Sequence, residues 1–147
     1  MYRVENKWKP PRSPIGMLQE EVWPDEWKIL VVCSLHNQTS RKQVDKVHEE
    51  LFETYPNPTA MSEAVHEELV QIIHPLGFYN RRARALVRMS KDFLEKDWNR
   101  ASELYGCGKY ADDCYRVFCT GEWQVVEPTD HSLNDYVDWL KKESKVA

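Results

Sequence analysis

Residues 104–118 read LYGCGKYADDCYRVF, and residues 126–131 read VEPTDH. In the first stretch Gly106 and Gly108 flank Cys107, and Lys109 follows directly. An apolar-patterned helix leads in and a second leads out, so the glycines turn the chain between two helices. A turn without bulky Cβ atoms lets backbone N–H groups at a helix N-terminus face an anion. In the second stretch Asp130 stands shortly after Pro128, where another helical pattern begins. On spacing alone, the glycines serve equally well to end one helix and begin the next. Asp130, on the same spacing, reads as a helix cap more readily than as a catalyst, and the helix dipole favours its ionised form.

Working outward from the turn, the helical period recurs. Trp27, Leu30, Val31 and Ser34 fall at i, i+3, i+4 and i+7 after the start signal Pro24-Asp25. Ser40 opens a second helix with Val44, Val47, Leu51, Phe52 and Tyr55 on its apolar face, stopped by Pro56 and Pro58. A further helix is expected from Ser62 to Ile73, closed by the turn HPLG at 74–77. The next covers 80–98, with Ala83, Leu86, Val87, Phe93 and Leu94 on one side. Asn99 or Ser102 opens the short helix leading into the glycine turn, and 109–119 leaves it. Thr129 or Asp130 caps a last helix running to about Lys142. Residues 1–16, rich in proline and polar groups, read as an extended arm rather than a packed element. Residues 17–147 read as a single domain, with no strand pair, repeat or low-complexity tract. The expected fold is all-α, a compact bundle of about eight short helices.

Hydrophobic content of 41% with 12% aromatics supports a packed core rather than disorder. The formal net charge of −4 does not advertise a nucleic-acid partner. Arg81, Arg82, Arg84 and Arg88 nevertheless supply a candidate basic face. No signal peptide and no apolar run of membrane-spanning length is visible, so a soluble intracellular chain is expected. The 4 cysteines, Cys33, Cys107, Cys114 and Cys119, then read as reduced thiols. Cys107, Cys114 and Cys119 invite an iron–sulfur reading, yet Cys114 and Cys119 lie at i and i+5 and do not face one another. Small buried hydrophobes fit them better, and neither metal nor cofactor is expected. The 6 tryptophans read as core or rim packing.

Longer motifs carry a resemblance. KWKPPRSP (7–14), LQEE (18–21), EWKILVV (26–32), NQTS (37–40), HPLGFYNRRA (74–83), LYGCGKY (104–110) and EPTDHSLNDYVDWL (127–140) are ordered along nearly the whole chain. In these motifs it resembles the helix–hairpin–helix DNA glycosylases, in particular the glycosylase domains of the methyl-CpG-binding-domain type. The resemblance implies that fold, and hydrolysis of the N-glycosidic bond of thymine or uracil opposite guanine in duplex DNA. It further implies base excision repair in the nucleus, by a monomer without a cofactor. Iron–sulfur clusters in that superfamily use four cysteines after the catalytic Asp, whereas Cys107, Cys114 and Cys119 precede Asp130.

Residue by residue, Asp130 matches the catalytic aspartate, and Tyr110 and Gln19 match residues of the base pocket. Gly106, Cys107, Gly108 and Lys109 match the hairpin that grips the DNA backbone. Phe78 matches the wedge that fills the stack, and Gln38 the probe of the opposite base. The chemistry suits these types. A base inside a duplex must be flipped out before it can be cut, and a mispair lowers that cost. Cleavage leaves positive charge on the sugar, which an ionised carboxylate stabilises. Bifunctional members carry a nucleophilic lysine where this chain has Tyr110, which implies a monofunctional enzyme. The family carries Arg in place of Gln38, Leu in place of Phe78 and a basic residue in place of Ser132. Those differences bear on binding strength and on CpG preference. Three other functions compete with this one: a non-catalytic DNA-binding module, a glycosylase/lyase using Lys109, and a helical protein-interaction domain.

Overall fold

The computed structural model describes residues 8–146, and in them the chain is all-α, with no strand. The first helices are α1 (Leu18–Val22), α2 (Glu26–Leu35), α3 (Arg41–Asp45) and α4 (His48–Thr54). They are followed by α5 (Pro58–Ser62), α6 (His66–Ile73) and α7 (Tyr79–Glu95), then α8 (Lys109–Phe118) and α9 (His131–Val146). Short 3-10 turns at His74–Leu76 and Ala101–Glu103 precede α7 and the glycine turn.

Helix α2 is the axis of the core. Its expected one-sided stripe is wrong, because Ile29, Leu30, Val31 and Val32 are all buried. A helix apolar all round belongs in the middle, and α1, α7 and α8 pack around this one. Asp25 caps it by accepting from Lys28 N at 3.0 Å.

One expected helix divides and another starts late. Ser40 caps α3 together with Gln43, as the sequence suggests, but Lys46 and Val47 make i→i−3 bonds that end it. The break lets Val44, Val47 and Leu51 all reach the core. Pro58 does not stop a helix. It occupies the first turn of α5, where its missing N–H costs nothing, and Asn57 accepts from Ala60 N at 2.8 Å. Ser62 therefore ends a helix, and α6 starts later because Val65 is extended.

In α7 the inward side is Arg82, Ala83, Leu86, Met89, Ser90 and Phe93, while Leu94, expected inside, is among the exposed apolar residues. Ser90 turns inward because its hydroxyl accepts from Trp27 Nε1 at 2.9 Å and donates to Leu86 O at 2.8 Å. Helix α9 seats Tyr136 against Phe118, their ring centroids 4.8 Å apart.

Of the extended arm expected over 1–16, residues 1–7 lie outside the described residues. Residues 8–16 are not helical and mostly exposed, yet they are pinned to the helices at several points. Trp8 Nε1 donates to Val117 O at 2.9 Å, and Tyr136 Oη donates to Pro11 O at 2.7 Å. Buried Glu20 accepts from Ser13 N, Ser13 Oγ and Met17 N at 2.6, 2.8 and 2.7 Å, which ties the arm to α1.

Candidate active site

The glycine turn and α8 come first, because they aim the rest. Gly106 has φ +75°, a left-handed conformation that favours glycine. Gly108 has negative φ and stands at the N-cap of α8 without a side-chain cap. A Cβ built on Gly108 would meet nothing within 4 Å, so open space lies over the start of α8. Conformation thus favours glycine at 106, whereas no neighbouring protein atom requires it at 108. Cys107 contributes backbone, since burial pushes its thiol up to about 12 and keeps it protonated.

Lys109 Nζ donates to Asp113 Oδ2 at 2.7 Å and to Glu127 O at 2.9 Å. It therefore ties the first turn of α8 to the segment that delivers Asp130. Tyr110 faces the other way. Gln19 is buried on α1 and donates from Nε2 to Tyr110 Oη at 2.8 Å, with Cys33 Sγ and Cys114 Sγ at 3.5 and 3.8 Å. Burial holds the Tyr110 hydroxyl well above its usual range, so it remains a neutral phenol.

Asp130 caps a helix and also borders a cleft. Its Oδ2 accepts from Leu133 N at 3.0 Å, which caps α9. It also lines a cleft of roughly 500 Å³ with Gln19, His36, Gln38, Tyr110 and Ser132. Arg41 closes one side, donating to Gly16 O and Glu21 Oε2 at 2.6 Å and to Asp45 Oδ1 at 2.7 Å.

His36 was not among the sequence candidates. Its Nδ1 bonds Val32 O at 3.0 Å, and burial lowers its pKa below 6.5 despite that carbonyl and the nearby Asp130. The imidazole in the cleft is therefore neutral at neutral pH. The only trace of this in the sequence was its place between the apolar run of α2 and NQTS.

Phe78 and Gln38 share a feature. They are the two non-glycine residues with positive φ among the described residues, at 48° and 61°. Phe78 is 58% exposed at the start of α7, and the Arg81 guanidinium sits 4.8 Å from its ring centroid. Arg81, Arg84 and Arg88 are exposed on successive turns of α7, with Arg88 stacked 3.9 Å over Tyr105. Arg82 leaves the expected basic face and is buried. A second cavity of roughly 470 Å³, lined by Arg81, Tyr105, Gly106 and Lys109, lies between α7 and the glycine turn. It adjoins the first cleft at Tyr110 and Asn37.

Residues 31–144 match the HhH-GPD superfamily of base excision DNA repair proteins. The chain belongs to that superfamily. This HhH-GPD domain is 41% identical over 142 residues to a methyl-CpG-binding domain protein 4-like protein of Arabidopsis thaliana, covering 97% of the chain and 32% of that protein. It is 36% identical over 93 residues to a thymine-DNA glycosylase of Aeropyrum pernix, covering 58% of the chain and 42% of the relative. An endonuclease III of Thermotoga maritima is 28% identical over 125 residues, with 80% and 59% covered. The chain thus spans less than two thirds of each of these relatives. The HhH-GPD match encloses the glycine turn, Phe78 and Asp130, whereas Gln19 lies ahead of it. Among the described residues no group of three or more His, Cys, Asp or Glu is placed to hold a metal. No helix of the described residues is long and apolar enough to cross a membrane.

Proposed function

We propose that this HhH-GPD domain is a monofunctional DNA glycosylase. It hydrolyses the N-glycosidic bond of thymine or uracil opposite guanine in duplex DNA, as a monomer acting on nuclear DNA. One observation carries the reading: Asp130 shares its cleft with Tyr110 and Gln19, beside an uncapped glycine turn at the start of α8.

The steps follow from those positions. Backbone N–H groups at 106–109 hold a phosphate, with the Arg81–Arg84–Arg88 stripe adding positive charge alongside. The mispaired nucleotide rotates into the cleft, Phe78 fills the gap in the stack, and Gln38 meets the opposite guanine. Gln19 and Tyr110 present an amide and a neutral hydroxyl to the pyrimidine edge. As the bond to the base breaks, its electron pair leaves with the pyrimidine as an anion, positive charge grows on the sugar and Asp130 stabilises it. Water then adds to the sugar, its proton taken by the carboxylate.

The lyase alternative needs a free amine facing the cleft. Lys109 is instead engaged by Asp113 and the Glu127 carbonyl, and Tyr110 occupies the facing position. Incubation with duplexes carrying single G·T, G·U, A·T and A·U pairs tests the reading. Base release confined to the guanine mispairs, with strand breaks appearing only after alkali, is the expected result. Breakage without alkali, or adducts trapped by borohydride, would overturn the monofunctional assignment.

A further inference from the structure

Arg82 is 8% exposed, and every hydrogen bond of its guanidinium goes to a backbone carbonyl. Nε donates to Gly77 O at 2.8 Å and Nη2 to Asn37 O at 2.7 Å, with Nη1 at 3.5 Å from Ser34 O. Gly77 directly precedes Phe78, and Asn37 directly precedes Gln38. The guanidinium therefore grips the peptide planes that lead into both positive-φ residues. Such conformations persist for side-chain-bearing residues when their surroundings over-determine them. A planar fork of donors reaches two carbonyls in fixed relative orientation, which an ammonium cannot do.

We infer that Arg82 is a positioning residue that fixes the spacing between Phe78 and Gln38, so that stack filling and opposite-base probing occur as one event. This rests on the function proposed above. Phe78 stands at the N-cap of α7 and Gln38 beyond α2, and Arg82 joins the two loops from within. Burial lowers its pKa, as does the neighbouring Arg81, so the residue is kept in place at an electrostatic cost.

The test uses Arg82→Lys and Arg82→Gln in two backgrounds, the wild-type chain and Phe78→Ala/Gln38→Ala. Single-turnover base release is read at saturating protein, and unstacking is read by 2-aminopurine placed next to a G·T pair. In the wild-type background both variants should lose roughly tenfold or more in rate, the scale of a small misplacement. They should also lose the fluorescence rise on binding. In the doubly truncated background either substitution should cost less than about twofold, because what Arg82 positions is gone. Equal losses in both backgrounds, together with an equal fall in melting temperature, would make Arg82 a general strut and overturn the inference. If one substitution prevents folding, the other decides. Wild-type protein that releases no base overturns the glycosylase reading, and the 2-aminopurine signal then decides the role of Arg82 alone.

Discussion

Gln19 Nε2 and Tyr110 Oη meet at 2.8 Å, although the two residues lie 91 positions apart in the chain. Both residues line the cleft that Asp130 borders, and their bond joins α1 to α8. Its two members polarise each other in a buried setting, where a lost partner is costly.

Tyr110→Phe should accordingly act on stability as well as activity. It leaves the Gln19 amide with two weak sulfur acceptors, costing about 1–3 kcal/mol by the usual penalty for an under-satisfied buried donor. Chemical denaturation of the two proteins measures the cost. Unchanged stability would mean that Gln19 turns to another partner.

Asp130→Asn separates the two jobs of one side chain. Asparagine caps helices about as well as aspartate, so the melting temperature should move little. The charge proposed to face the sugar is lost, and single-turnover base release should fall by roughly a hundredfold or more. Duplex affinity, measured on the same preparation, should stay close to wild type. A near-normal rate would reduce Asp130 to a cap.

The two glycines of the turn should respond in opposite ways. Gly106→Ala forces a side chain to φ +75° and should cost about 1–2 kcal/mol of stability. Gly108→Ala meets no atom of the protein within 4 Å and loses only the N-cap preference for glycine. Stability should therefore fall by less than about 1 kcal/mol, while mispair binding weakens and its salt dependence flattens. Affinity titrations at several salt concentrations, beside melting curves, separate strain from a blocked approach.

His36 predicts an acid-side loss of stability. Its folded pKa lies below the unfolded value of 6.5, so the unfolded chain binds the proton first as pH falls. Its contribution is complete above that value and drains away as pH drops through the lower folded pKa. Arg41 adds to the lowering, whereas Asp130 and Asp45 oppose it. Melting temperatures between about pH 7.5 and 5 should fall less steeply for His36→Leu than for wild type. Parallel curves would assign the loss to other groups.

The sequence disclosed most where one residue has one physical job. Asp25 and Ser40 cap the helices they announce, and the glycine turn lies where its pattern puts it. It misled where two rules competed at a single position. Pro58 breaks a helix in an interior and starts one at a first turn, and nothing local tells which. Arg82, read as part of a charged face, is buried because two distant loops offer it carbonyls. His36 enters the cleft for a similar reason: only the packing of α2 decides which way its last turn looks. Side chains whose partners are remote in the chain were the ones that periodicity could not place.

The strap formed by residues 8–16 bears on the order of assembly during synthesis. Trp8 has its seat on the Val117 carbonyl and Pro11 its bond from Tyr136, contacts 109 and 125 positions away. Glu20, next to Gln19, is fastened through Ser13 to the same strap. A nascent chain that has released α2 to α7 can seat α1 against α2, but it cannot fasten the strap until α8 and α9 have emerged. Contacts this distant are the slow ones to close. The cleft lined by Gln19, Tyr110 and Asp130 draws on both ends of the chain, so it is complete only once the segment before α9 is in place.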